Sequence, residues 1–244
     1  MALTGKSRRN ARQLHLDRLR HGGRREGAGR KPSPDSGVPH LSRPSLSRRH
    51  PVHVTLKVVP AVGRLRERHA FGVIRSALES GRDRFGFRLV HFSVQWDHVH
   101  LIAEAENKRA LSRGLQGLAV RMARRVNKHL ARSGKVFGDR YHARALKSPR
   151  EVRTALSYVL NNFRKHRTDE GAVPWDLTDY ERSSAPWFDG WRIEIPFVVT
   201  GPPPVCDARS WLLTRGWRRH RLLMPNEVPS AGSVQMSARH RSTS

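Results

Sequence analysis

Two β-rich runs separated by three residues fix the middle of this chain. Phe87-Arg88-Leu89-Val90-His91-Phe92-Ser93-Val94 and the run from His98 to about Ala105 are joined by Gln95-Trp96-Asp97. A link that short allows only an antiparallel hairpin, because parallel strands need a crossover of a dozen residues or more. On either side the period of the apolar residues lengthens to that of a helix. Upstream, the β-branched run Val52-His53-Val54-Thr55-Leu56-Lys57-Val58-Val59 reads as a strand. Leu65, Ala70, Ile74, Ala77 and Leu78 then recur at helical spacing until Gly81. Downstream, Leu111, Leu115, Leu118, Met122, Val126 and Leu130 form one stripe of a long amphipathic helix closed by Ser133-Gly134. Tyr141 to Lys147 is a fourth strand.

The order strand, helix, strand, strand, helix, strand predicts an α/β (α+β) fold, a ferredoxin-like βαββαβ antiparallel sheet with the first and third strands central. One further helix has a strong start signal. Ser148 caps it, Pro149 takes the first helical position and Glu151 completes a capping box. It runs to about His166, with Val152, Ala155, Leu156, Val159 and Phe163 as its buried stripe.

Composition divides the chain into three parts. Residues 1–50 are a basic arm whose Gly- and Arg-rich stretch, Gly22 to Pro34, cannot bury apolar surface and is read as disordered. Its Gly29-Arg30-Lys31-Pro32 core faintly resembles a minor-groove hook, but a solvated tail is the simpler reading. Residues 51–167 hold the sheet and its helices. Residues 168–244 are an extension rich in Trp, Pro and Arg. There Trp175, Trp187 and Trp191 are read first as cover for the core and second as stacking surfaces for unpaired bases.

The formal net charge of +27 favours a polyanion, above all nucleic acid, as partner. A membrane surface fits less well, because no helix pairs a basic face with a strongly apolar one. Cys206 is the single cysteine, which rules out a disulfide framework and a thiolate zinc site. With no apolar run of membrane-spanning length, the expected location is the cytoplasm, at the nucleoid.

Chemistry concentrates at His98-Val99-His100. On a strand, both imidazoles share a face while Val99 points the other way. That is half a metal site, and a third ligand must come from elsewhere. On the last helix Tyr158 and Asn162 are four residues apart and share a face. That face is expected to point away from the apolar stripe. The Asn162 carbonyl oxygen is the expected third ligand, and Glu104, on the histidine face of a regular strand, is the alternative. Tyr158 is the expected nucleophile, to be activated by a nearby cation or metal. Tyr141 is a weaker candidate, since it lacks an amide partner. His53-Val54-Thr55-Leu56 resembles half of a two-histidine phosphoesterase site, but position 100 is His where that chemistry needs Thr or Ser. Arg121, Arg124, Arg125, Lys128, Arg144, Arg164 and Lys165 are candidate phosphate contacts, a solvated helix face being the alternative for the first four.

These residues together resemble the single-tyrosine HUH transposases, and within them the REP-associated tyrosine transposases. The resemblance spans about Pro51 to His166. It rests on Asp97-His98-Val99-His100, Gly138-Asp139-Arg140-Tyr141 and Tyr158-Val159-Leu160-Asn161-Asn162. It implies a DNA transposase that cleaves and rejoins single-stranded or hairpin DNA through a 5′-phosphotyrosine, leaving a free 3′-hydroxyl. It also implies Mg2+ or Mn2+ as cofactor and a monomer or homodimer, with Tyr158 serving its own site or a partner's. Phe163 stands where related sequences usually carry proline. The competing reading is a domesticated, non-catalytic DNA-binding protein that keeps the fold.

Overall fold

Strict alternation in the first strand, β1 (Val52–Lys57), sends Val52, Val54 and Leu56 to one face and His53, Thr55 and Lys57 to the other. That division organises the whole sheet. The structure, a computed structural model, describes residues 44–165, 180–197, 201–225 and 227. The basic arm through Arg43, His166, Trp175 and the tail beyond Glu227 lie outside the described residues, as do the side chains of Phe163, Arg164 and Lys165.

After β1 come α1 (Arg68–Gly81), β2 (Asp83–Arg84), β3 (Phe87–Val94), β4 (His98–Ala105), α2 (Lys108–His129), β5 (His142–Ala145) and α3 (Pro149–Lys165). The sheet order is β2-β3-β4-β1-β5, every pairing antiparallel. The two-residue β2 adds an edge that the sequence did not announce. Without it, β3-β4-β1-β5 is the ferredoxin-like order, and the strands bearing Thr55 and the two histidines are central. The hairpin β3–β4 has the expected limits. The β2–β3 turn places Phe85 at φ 57° beside Gly86 at φ 74°, two left-handed residues as a tight primed hairpin turn requires.

One face of the sheet is apolar. Val54, Leu56, Phe92, Val94, Val99 and Leu101 bury there with Phe71, Ile74 and Leu78 of α1 and Leu115, Leu118 and Met122 of α2. Asn107 caps α2, its side-chain oxygen accepting from the Ala110 N–H at 2.9 Å. Gly114 lets α2 lie directly on β3, because a Cβ there would fall 2.2 Å from Cγ of Phe87.

The other face carries His53, Thr55, His91, Ser93, His98, His100 and Glu104, with Val90 and Ile102 as its apolar members. It is covered by α3 and the chain after residue 180. Tyr180, Ala185, Phe188, Leu212, Leu213, Trp217 and Leu223 bury with Leu156, Val159 and Leu160 of α3. Trp187 and Trp191 also pack against the core, and the Trp191 indole N–H donates to the Ala185 carbonyl at 3.1 Å. Described residues between Tyr180 and Leu223 are thus part of the core.

The capping box of α3 forms as the sequence requires. The Glu151 N–H donates to Ser148 Oγ and the Ser148 N–H to Glu151 Oε2, both at 3.2 Å. One expectation about this helix fails. Its Tyr158–Asn162 flank does not point away from the packed stripe, since Asn162 is fully buried and Tyr158 partly so. The reason lies in the sheet, against which this flank packs, with the Tyr158 ring edge-on to His53 and His100; the late segment closes the far side of the helix. Arg153 meets Glu227 at 2.6 Å, Ser157 Oγ donates to the same carboxylate at 3.2 Å, and Asn161 donates to the Met224 carbonyl at 3.1 Å. These three polar residues, each four apart, form a second stripe that the strap 221–227 clamps.

Candidate functional site

Residues His98 and His100 share the polar face of β4, as their spacing predicts, and the side chains meet. Their Nε2 atoms are 2.9 Å apart. The opposite nitrogens are held by other groups. His98 Nδ1 donates to Asp97 Oδ1 at 2.6 Å, and His100 Nδ1 lies 3.1 Å from Thr55 Oγ1 and 3.3 Å from His53 Nε2. Burial pushes the Asp97 carboxyl up, but the hydrogen bond and charge of His98, then Lys57 at 3.6 Å, outweigh it and hold Asp97 below the usual carboxylate range. Asp97 is therefore an anion that fixes the orientation and tautomer of the His98 ring, the carboxylate–histidine arrangement found behind many metal ligands.

The central strand β1 supplies the rest of this floor. Register places Thr55 opposite His100 and His53 opposite Ile102, with Arg144 of β5 on the far side of His53. His53 is buried, and desolvation first, then the charges of Arg144 and His98, lower its pKa to about 4. It is a neutral imidazole near pH 7. Tyr158 of α3 closes the site from above. Its ring stands edge-on to His100 at 5.0 Å between centroids and to His53 at 5.7 Å. Burial pushes the Tyr158 phenol above its ordinary value, so it holds its proton at neutral pH.

One turn along α3, Asn162 has no exposed surface, and neither its side-chain oxygen nor its nitrogen has a hydrogen-bond partner. Buried amides are nearly always paired, so an orphaned carbonyl oxygen marks a place where a ligand is owed. Two nitrogens bound at right angles to one ion, each about 2.1 Å from it, sit about 3.0 Å apart, which matches the observed Nε2 pair. Among the described residues no group of three or more His, Cys, Asp or Glu side chains is arranged to hold a metal. Two imidazole nitrogens at that separation, with an orphaned amide oxygen on the helix that carries Tyr158, are donors of the kind a divalent cation accepts.

The alternative ligand, Glu104, is overturned. Its carboxylate accepts from the backbone N–H of Arg209 at 3.0 Å and of Ser210 at 2.7 Å, just ahead of the short helix Trp211–Thr214, with Arg88 Nε 3.9 Å away. Four residues of strand also separate it from His100 by roughly 13 Å. A shared face is not a shared site. Tyr141 packs against the opposite core cluster, away from the histidines.

The basic candidates divide. Arg144 is exposed beside the site and pairs with Glu151 at 2.7 Å. Arg121, Arg124, Arg125 and Lys128 sit on α2, in the layer covering the opposite face of the sheet, and Arg125 donates to Ser76 and Ser80 of α1 at 2.8 and 3.0 Å. They do not line the histidine–tyrosine site. Arg164 and Lys165 fall in the last turn of α3, where side chains are not described.

Sequence reasoning missed His53 and Thr55 as members of this site. The signal was available, since alternation in β1 puts both on one face and the predicted order makes β1 neighbour β4. Only the register, with Thr55 facing His100, turns that into contact.

Residues 63–162, from the turn before α1 through Asn162, match the family model for IS200-like transposases. This part of the chain is similar to IS200-like transposases. No curated protein matches the chain significantly. Among solved structures, the chain is similar to a REP-associated tyrosine transposase bound to a REP hairpin, at 13% identity over 56% of this chain and 76% of that one, TM-score 0.43. It is also similar to a protein assigned as a transposase from Deinococcus radiodurans, at 14% identity over 57% of this chain and all of that one, TM-score 0.36. Among the described residues, no helix is long and apolar enough to cross a membrane.

Proposed function

We propose that this protein is an IS200-like transposase that cuts and rejoins single-stranded DNA by a tyrosine-linked, metal-assisted transfer. The observation that carries the reading is the juxtaposition of the facing Nε2 pair of His98 and His100 with the Tyr158 ring, 5.0 Å from His100 in the same chain. His98 Nε2, His100 Nε2 and the Asn162 side-chain oxygen would hold Mg2+ or Mn2+, which when bound draws charge from the scissile phosphate oxygens and stabilises the transition state.

Tyr158 is the nucleophile. Its phenolic oxygen attacks phosphorus, the bond from phosphorus to the 3′ oxygen breaks, and the strand end stays on the protein as a 5′-phosphotyrosine. The phenol gives up its proton and the departing 3′ oxygen takes one, so the step is neutral in protons. An aryl phosphate ester is a good leaving group, and a 3′-hydroxyl of another strand end can reverse the attack without loss of bond energy. Arg144, together with Arg164 and Lys165, is assigned to the DNA backbone nearest the site. The motif resemblance points to the REP-associated branch and hence to hairpin-bearing single strands as substrate. Tyr158 lies against the histidines of its own chain, which supports a site completed within one copy.

The test is incubation of the full chain with Mn2+ and a library of single-stranded hairpin DNAs, read on a denaturing gel. A covalent protein–DNA species that is lost in Tyr158→Phe is expected. DNA binding with no adduct on any substrate would instead establish a non-catalytic DNA-binding protein that retains the fold.

A further inference from the structure

The two histidines of the proposed metal pair are held differently. His98 leans on a carboxylate anion, Asp97, whereas His100 leans on two neutral groups from another strand, Thr55 Oγ1 at 3.1 Å and His53 Nε2 at 3.3 Å. His100 is 3% exposed, so no solvent replaces those partners. Between two Nε2 atoms 2.9 Å apart there is room for one shared proton or for a cation. With a divalent cation on both Nε2 lone pairs, a neutral His100 must carry its single proton on Nδ1. That N–H then needs an acceptor inside the protein, because a buried donor left unpaired is strongly unfavourable.

We infer that Thr55 and His53 are the positioning residues for His100: together they accept its Nδ1 proton in the cation-bound state and so free Nε2 as a ligand. The inference rests on the metal reading above and extends it to a strand outside the histidine triplet. A hydroxyl is suited to the task because it both donates and accepts. Thr55 can donate to Nδ1 while the proton is shared between the Nε2 atoms, then rotate to accept when it is not. Register secures the geometry, since Thr55 is directly opposite His100 across the β1–β4 ladder and His53 is its diagonal neighbour.

The experiment measures Mn2+ affinity of the full chain by calorimetry, without DNA, for the wild type, Thr55→Val, Thr55→Ser, His53→Leu and His98→Ala. Thr55→Val is expected to bind about 10- to 100-fold more weakly, as is usual when the group behind a metal-bound histidine is removed. Thr55→Ser should restore affinity, and metal-free thermal unfolding of Thr55→Val should stay close to wild type. In the Zn2+-loaded chain, nitrogen NMR should find the His100 proton on Nδ1. Wild-type affinity in both Thr55→Val and His53→Leu, with binding lost in His98→Ala, would overturn this inference and leave the metal site standing. A wild type that takes up no Mn2+, or His98→Ala binding as wild type does, would remove the metal reading and the inference together.

Discussion

Asn162 and His91 show how single buried polar groups divide between function and stability. Asn162 lies fully buried with both amide atoms unpaired, an arrangement that costs roughly 1–3 kcal/mol when nothing fills it. Replacement by leucine should therefore leave thermal stability equal or higher while the Mn2+-dependent covalent adduct disappears; an adduct at wild-type level in Asn162→Leu would exclude the amide from the site. His91 has the opposite character. Its Nδ1 lies 3.2 Å from Ser184 Oγ and its ring is edge-on to Phe188 at 5.3 Å. Desolvation, only partly opposed by Asp189, lowers its pKa from 6.5 to about 4. The folded state therefore prefers the neutral ring. This contribution is fully present above pH 6.5 and is lost as pH falls from there towards 4, with a magnitude of about 3 kcal/mol. Unfolding followed from pH 7.5 to 4.5 should show a steeper loss for wild type than for His91→Gln.

Among the elements, α3 depends most on distant chain. Its capping box is local and readable, with Ser148 and Glu151 in reciprocal contact. Its outer stripe, Arg153, Ser157 and Asn161, is held by residues 221–225 and 227, more than sixty positions away, and by Tyr180, whose hydroxyl donates to Asn161 Oδ1 at 3.4 Å. Glu227→Ala removes the partner of Arg153 and Ser157 at once and is expected to cost about 1–3 kcal/mol, since hydrogen bonds to charged groups are the stronger ones. Hydrogen exchange should speed up in α3 amides around Tyr158 while β1 and β4 keep their protection; uniform loss across both would mean the strap serves the whole fold instead. On the opposite face, Gly114→Ala would set a methyl group 2.2 Å from Cγ of Phe87. The resulting separation of α2 from β3 is expected to cost about 1–3 kcal/mol, as overpacking does, measured by denaturant unfolding.

For the molecule as a whole, a net charge of +27 would make the proposed association with single strands chiefly electrostatic. The logarithm of affinity for unstructured DNA should fall linearly with the logarithm of salt, by about 0.7 for each phosphate contacted. Anisotropy titrations between low and moderate salt would show it, and a flat response would mean that the charge is not directed at DNA. Charge gives attraction without place, and the structure illustrates the difference: Arg125 is spent on Ser76 and Ser80, while Arg144 stands beside the site. The sequence by itself determined the βαββαβ order, the limits of the central hairpin, the face shared by His98 and His100 and the start of α3. Each follows from a period or a cap lying within a few residues. Tertiary structure alone decided that Thr55 and His53 stand behind His100, that Glu104 is engaged by Arg209 and Ser210, and that Asn162 is buried. Those outcomes rest on strand register and on a strap from the far end of the chain, and contacts across such separations leave no period in the local sequence.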